Sequence, residues 1–403
     1  MAKIEPFRGI RYNEEAVGDF AKVIAPPYDV ISPQQREELQ AKSPFNAVRI
    51  ELPEGEGEQR YANAKETYSK WLEDNVLIRD DEPSIYPYYQ DFEFEGQRYT
   101  RKGFIANLKV EDFDKRIVLP HEQTFRKHKE DRLALTIACN SNLSQIFCVY
   151  PDASGEIEKD IDKNIGEPLV DVIFEEGIRN TLWKISDPEI IQRVKSLLAD
   201  RSILIADGHH RYETSINFRD LKRKETGGNS GPMPWDYVMT YLSRGEGQGL
   251  IINPTHRMAK KVGENLIDDL REDFEAERIA LEDSLDLGPD QISVVTKDPG
   301  RTFRLTPKAT HKKDYENLAV TILHSRVFGK LVEEDKADVR YSKFPEEVFE
   351  NVHNRGFDAG FLLPKLKSED IFKVVLDGTK MPHKTTYFYP KILSGLVFSP
   401  LWR

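Results

Sequence analysis

Short apolar runs alternate with segments of helical spacing along most of the chain, the pattern of a mixed α/β protein. Ile203, Leu204, Ile205 and Ala206 form an uninterrupted apolar run, which predicts a short buried strand. Asp207-Gly208 marks a turn after it, and residues 209–219 can continue as a helix with Tyr212, Ile216 and Phe218 partly inward. Upstream, 21–30 reads as a strand entering a turn, because proline pushes the residue before it to extended geometry. Ser32-Pro33 predicts an N-cap followed by proline at the first helical position, opening a helix over 34–41. A second helix is expected over 58–75, where Tyr61, Ala64, Tyr68, Trp71 and Leu72 recur at helical spacing. Residues 83–110 change character and predict a β-hairpin turning at Glu95-Gly96-Gln97. A helix over 129–139, a strand over 145–150, a strand pair within 172–183 and a helix over 188–199 follow. Beyond Thr255, helices are expected near 264–274 and 315–331, with strands at 292–296, 302–305 and 359–363.

Composition narrows the class. At 403 residues, 39% hydrophobic and 32% charged, the chain has the make-up of a globular protein of two to three domains. No apolar run approaches the roughly 20 residues that cross a bilayer. The first residues lack the hydrophobic stretch of a signal peptide, so the cytoplasm is the expected compartment. A net charge of −11 opposes broad nucleic-acid binding. Cys139 and Cys148 match no zinc-ligand spacing and read as two small core residues. Oligomeric state is not written in any of these features.

Five places carry more polar chemistry than folding requires: Tyr28-Asp29 after two prolines, His121-Glu122 with the 129–132 run behind it, the Asp207 turn, His256-Arg257, and the stretch 381–391 with His383, Lys384 and Lys391. At the Asp207 turn, His209, His210 and Arg211 fall in the first turn of the expected helix. Exposed N–H groups and the positive dipole end there favour a phosphate or carboxylate. Each place has a structural alternative: Asp29 as a turn cap, Lys129 to Arg132 as a solvated helix face, His121 and Glu122 as a hydrogen-bonded pair, the Asp207 turn as a capped helix with surface histidines, His256 and Arg257 as the close of a surface turn, and His383 and Lys384 as a basic edge. His128, His311, His324 and His353 have no supporting neighbours in sequence. No zinc motif, P-loop, kinase signature, dinucleotide fingerprint or nucleophile elbow appears.

Six ordered motifs resemble the prokaryotic domain of unknown function family 1015. They are Pro26-Pro27-Tyr28-Asp29-Val30-Ile31, Leu119-Pro120-His121-Glu122, Lys129-Glu130-Asp131-Arg132, Asp207-Gly208-His209-His210-Arg211-Tyr212-Glu213, Pro254-Thr255-His256-Arg257 and the 381–391 stretch. The match runs from Pro6 to Leu401. The Asp207 turn is also similar to the phosphate-gripping turn of the ParB/sulfiredoxin superfamily, which includes free-serine kinases. That second resemblance implies a ParB/sulfiredoxin-like α/β core with its N-terminal part in 1–84. An inserted β-hairpin and α/β region would occupy 85–200, with the core completed in 201–254 and a C-terminal α/β region in 255–403.

The resemblance implies a phosphoryl-transfer enzyme acting on a small polar metabolite, serine or O-phosphoserine best, with a nucleotide (ATP or ADP) and Mg²⁺ as cofactors. Gly208, His209, His210 and Arg211 would then hold phosphates. Lys384, Lys391 and Arg257 would neutralise charge, with Tyr28, His121, His256 and His383 as further substrate contacts. Asp207, Asp29 or Glu122 would orient the substrate hydroxyl or a Mg²⁺ ion, with Glu122 the preferred general base and His210 catalytic. Two other readings remain open at this point: a phosphatase at the same pocket, and a non-catalytic ParB-like nucleotide- or DNA-binding protein.

Overall fold

The computed structural model describes residues 1–122, 126–227, 231–263, 265–297, 301–309, 314–328, 339–377, 381–382 and 384–402. The chain is of mixed α/β class and divides into two compact units. One comprises residues 1–120, 124–250 and 390–403, the other 121–123 and 251–389.

The first unit is built on a nine-stranded mixed sheet. Its strand order is Val118–Pro120, Ile203–Asp207, Ile146–Tyr150, Tyr237–Arg244, Gln97–Lys109, Tyr86–Phe94, Ile178–Leu182 and Val170–Phe174, with Ile4–Glu5 beside Gln97–Lys109. Six of these nine strands come from residues 85–200, so that segment and the strand before the Asp207 turn share one sheet. The expected hairpin forms with Phe94 opposite Gln97. Glu95 and Gly96 both have positive φ, as a two-residue loop of matching twist requires.

Ile203–Asp207 runs parallel to Val118–Pro120 and antiparallel to Ile146–Tyr150, buried from Ile203 to Ala206 because it is apolar on both faces. The register with Ile146–Tyr150 shifts between Ile205 and Asp207, an irregularity that skips Ala206 and sets Asp207 opposite Phe147 as the last pair of the ladder. The helix His209–Glu225 follows at once, longer than expected, and buries Tyr212 and Phe218. It packs against the helix Arg126–Cys139.

The chain's last residues complete this unit. Phe398 bridges Ile10, Ser394 bridges Ala25, and Leu396, Val397 and Phe398 are fully buried, Phe398 against the Tyr12 and Tyr68 rings. The helices Pro33–Lys42 and Gln59–Glu73 form as expected, with the Ser32 hydroxyl accepting from the Gln35 N–H. Cys139 and Cys148 are buried free thiols. The strand expected over 21–30 does not form. Two 3₁₀ turns, Phe20–Lys22 and Tyr28–Val30, flank the single Ala25 bridge, since Pro26 and Pro27 have no N–H to extend a ladder.

The second unit carries a six-stranded antiparallel sheet in the order Phe274–Ile279, Thr302–Pro307, Ile292–Thr296, Ala359–Leu362, His256–Ala259 and Val339–Ser342. A separate ladder pairs Ile251–Pro254 with Thr386–Tyr389. Two short strands, Ile251–Pro254 and His256–Ala259, thus lie on either side of Thr255. The helix expected over 264–274 is reduced to Leu266–Leu270, because Phe274 instead opens a strand and buries itself in the sheet; Glu264 lies outside the described residues. Over 315–331 the single helix is replaced by the turn Asp314–Asn317, the helix Ala319–Ile322 and the π-helical turn Leu323–Phe328, and 329–331 lie outside the described residues. The helices Pro345–Asn354 and Ser368–Leu376 were not anticipated. No helix among the described residues is long and apolar enough to cross a membrane.

Candidate functional site

In the first unit the Asp207 turn gathers side chains from four parts of the sequence. Gly208 has φ +90°, a left-handed conformation that glycine adopts without strain, and it starts the helix without a side-chain cap. A Cβ at Gly208 would come within 3.0 Å of the Arg211 guanidinium. The missing side chain is thus what lets Arg211 fold back over its own turn. Arg211 Nη1 donates to the Gln145 carbonyl at 2.6 Å, Nη2 lies 3.5 Å from Asp207 Oδ2, and Nε has no hydrogen-bond partner among the described residues. Lys391 Nζ lies 3.5 Å from the other carboxylate oxygen of Asp207.

The Tyr28 ring lies within cation–π reach of two guanidinium groups. Arg132 lies 4.1 Å and Arg211 5.9 Å from its centroid. Burial pushes the Tyr28 phenol up to about 12, helped by Asp29 and opposed by Arg132 and Arg211, so Tyr28 stays neutral at ordinary pH. Burial by itself lowers the Arg211 pKa, but Asp207, then Asp29, Tyr28 and Glu51 outweigh it and raise it. Asp29 is exposed and acts on both neighbours through charge.

Arg132 is held by the Glu51 carbonyl at 2.9 Å and by Asp131 at 2.6 Å, and Lys129 donates to Glu213 at 2.5 Å. The 129–132 run is therefore an ion-paired face of the Arg126–Cys139 helix turned toward the turn's neighbours. His209 is buried and His210 half-buried in the first turn of the helix, as expected.

Sequence reasoning missed Arg101. It is 1% exposed, donates through Nη2 to Gln90 Oε1 and to the Pro390 carbonyl, and lies 4.9 Å from the Phe147 ring centroid. Gln90 Nε2 donates to the Lys391 carbonyl at 3.0 Å, so the pair fixes the backbone that presents Lys391. Burial lowers the Arg101 pKa, with Tyr241, Tyr88 and Asp207 opposing. A signal existed in the sequence: Arg101 shares strand parity with Gly103 and Ile105, on the buried face.

The second unit holds the other motifs. His121 is fully buried, with Nε2 2.9 Å from Thr386 Oγ1 and 3.5 Å from Glu122 Oε1. Glu122 Oε1 accepts from the Thr385 and Thr386 N–H groups at 3.1 and 3.4 Å. The Met381 N–H donates to the His121 carbonyl at 2.8 Å. His121-Glu122 and the 381–391 stretch thus meet, and one carboxylate oxygen caps the backbone of its partner strand.

His256 Nδ1 accepts from the Leu363 N–H at 3.2 Å, and burial, with Arg257 beside it, pulls its pKa down to about 4. Arg257, 1% exposed, donates to the Thr255 and Lys384 carbonyls and lies 3.5 Å from His324 Nε2. His324 therefore has neighbours that sequence spacing did not reveal, and it stacks on Phe328. Lys384 is exposed, with its Nζ 4.9 Å from the Tyr341 ring centroid. His383 lies outside the described residues.

The structure thus brings Tyr28, Asp207, Arg211 and Lys391 together in the first unit, and separately joins His121 with Glu122 and Arg257 with Lys384 in the second.

Comparison with known proteins places these features in context. No curated protein sequence matches the chain. Among solved structures, a conserved hypothetical protein from Pyrococcus furiosus is 14% identical, with 72% of this chain and 92% of that one covered and a TM-score of 0.39. A free serine kinase in complex with AMP is 15% identical over 71% of this chain and 86% of its own, with a TM-score of 0.38. SbnI with C-terminal truncation from Staphylococcus aureus is 13% identical, covering 74% and 87%, with a TM-score of 0.39. All three are distant likenesses. The family model described as a protein of unknown function, DUF1015, matches residues 4–338, and the chain belongs to that family.

Proposed function

We propose that the Asp207 turn grips phosphate groups and that the protein transfers a phosphoryl group to or from a small polar metabolite, with serine or O-phosphoserine the best single candidate. The observation that carries the reading is the gathering of Arg132, Arg211 and Lys391 around one ring and one carboxylate at the start of a 17-residue helix. Asp207 is shared by Arg211 and Lys391, so these two cations have one carboxylate between them, while Arg132 is held by Asp131 and Glu51. A phosphate at the turn would meet the guanidinium charge of Arg211, the Lys391 ammonium and a helix start. Phosphoryl transfer asks a protein mainly for positioning and charge stabilisation, which is what such a cluster offers.

On this reading His209, His210 and Arg211 hold the phosphates of a nucleotide, ATP or ADP, and Lys391 neutralises the transferring group. Residues 1–84 and 201–254 would be the ParB/sulfiredoxin-like core, with 85–200 inserted and 255–403 appended. A Mg²⁺ ion does not fit at Asp207, whose two oxygens each face a cation. Nor does it fit readily at Glu122, whose Oε1 already takes two backbone N–H groups. Among the described residues no group of three or more His, Cys, Asp or Glu side chains converges as a metal site. No step is therefore assigned to a metal held by the protein.

The test is phosphorus NMR of the purified protein in Mg²⁺ buffer with O-phosphoserine alone, with O-phosphoserine and ADP, and with serine and ATP. Loss of the phosphoserine signal with a new nucleotide signal establishes a phosphotransferase. Free phosphate without nucleotide makes the protein a phosphatase. Unchanged spectra in every mixture remove serine and its phosphate as substrates.

A further inference from the structure

Arg132 and Arg211, the two guanidinium groups near the Tyr28 ring, also line a cavity of about 40 Å³ together with Glu51, Ser141, Ser144 and Thr214, with Leu135, Leu143 and Val238 as its apolar wall. At roughly 10–15 Å³ per water it has room for two or three water-sized groups. Glu51 is 2% exposed. Its Oε2 lies 3.4 Å from Arg132 Nη1, whereas its Oε1 has no hydrogen-bond partner among the described residues. Arg211 Nε is likewise buried without one. A buried carboxylate oxygen and a buried guanidinium N–H left unmet beside one cavity are costly, and no side chain or backbone group among the described residues answers them.

The donor and acceptor inventory selects the occupant. Glu51 Oε1 needs a donor, and Arg211 Nε needs an acceptor. A carboxylate or a fully ionised phosphate ester offers only acceptors and would set its negative charge against Glu51. An ammonium offers only donors and would face two guanidinium groups. A hydroxyl supplies one donor and two acceptors, carries no charge, and answers both. We infer that this cavity is the subsite for the hydroxyl-bearing end of a small alcohol substrate, with Glu51 accepting its proton in a hydrogen bond and Arg211 donating to its oxygen. The inference rests on the reading of the Asp207 turn as an anion site: Arg211 is common to both, so the hydroxyl would sit beside the phosphate that the turn holds.

The test uses the full chain with labelled leucine and valine methyl groups, followed by NMR while ethylene glycol, methylammonium, formate and inorganic phosphate are each added alone. Ethylene glycol should shift the Leu135, Leu143 and Val238 signals saturably, and methylammonium and formate should not. Glu51→Gln, which places an amide at the Glu51 carboxyl, should weaken the glycol response at least tenfold while leaving the phosphate response within twofold of wild type. Ser144→Leu, which fills the cavity without touching Glu51, should abolish the glycol response and covers the case in which Glu51→Gln fails to fold. A missing or non-saturable glycol response makes the cavity a water pocket and overturns the inference, as does an unchanged glycol midpoint in Glu51→Gln or a preference for formate or methylammonium. A glycol response without any phosphate response would leave the hydroxyl subsite standing and defeat the anion reading instead.

Discussion

Replacing Gly208 by alanine separates the two things this position does. The first is backbone: φ +90° costs an L-residue about 1–2 kcal/mol relative to glycine. The second is space, because the new Cβ would lie 3.0 Å from Arg211 Nε and Nη2 and 3.1 Å from Cζ, closer than ordinary van der Waals contact. The guanidinium must then swing away, straining its 2.6 Å bond to the Gln145 carbonyl, a charge-assisted contact of about 1.5–3 kcal/mol. Gly208→Ala should therefore lower unfolding free energy by about 1–2 kcal/mol if the side chain gives way freely, and by more if the Gln145 bond is lost. Gly208→Asn carries the same Cβ but tolerates the left-handed region better, so it should recover part of the stability without restoring the position of Arg211. Urea denaturation measures the first effect, and calorimetric titration with inorganic phosphate and with ADP measures the second. Both variants should bind these anions about tenfold more weakly than wild type. Wild-type anion affinity in a destabilised Gly208→Ala protein would refute the placement of Arg211 in the site, and wild-type stability would refute the backbone argument.

Other consequences follow from the same geometry. His210→Ala should abolish phosphoryl turnover while shifting the thermal midpoint little, and a collapse in stability with turnover retained would mark His210 as structural. His256 titrates near 4 when folded and near 6.5 when unfolded, so the unfolded chain binds more protons between those values. Stability should accordingly rise as pH goes from about 4 to about 6.5, by up to about 3 kcal/mol. His256→Asn, which can still accept from the Leu363 N–H, should flatten that slope in denaturant melts. Tyr28→Phe keeps the ring under Arg132 and Arg211 and should cost less than about 1 kcal/mol, whereas Tyr28→Ala should cost about 2–4 kcal/mol through lost burial and cation–π contact. Equal losses in the two variants would mean that the hydroxyl, not the ring face, is what the site uses.

The local elements were legible where a short-range rule decides them. Ser32-Pro33 caps its helix, Glu95-Gly96 turns its hairpin, and the run from Ile203 to Ala206 is a buried strand leading to a helix that starts at His209. Reading failed where tertiary pairing overrides spacing. Proline at 26 and 27 halts a ladder that apolar composition favoured, and Phe274 is taken by a sheet instead of a helix. Spacing also gave no sign that the Arg257 guanidinium donates to the carbonyls of Thr255 and Lys384.

By itself, the amino-acid sequence determined the mixed α/β class and the strand–turn–helix at Asp207, because these depend on neighbours a few positions apart. Only the tertiary structure decided which distant residues join them. Tyr28 slides under Arg132 and Arg211, the Arg101–Gln90 pair delivers Lys391 from the far end of the chain, and Glu51 faces a cavity with one oxygen unanswered. Such meetings are set by the packing of sheet and helices over the whole unit, and separation along the chain carries no record of them.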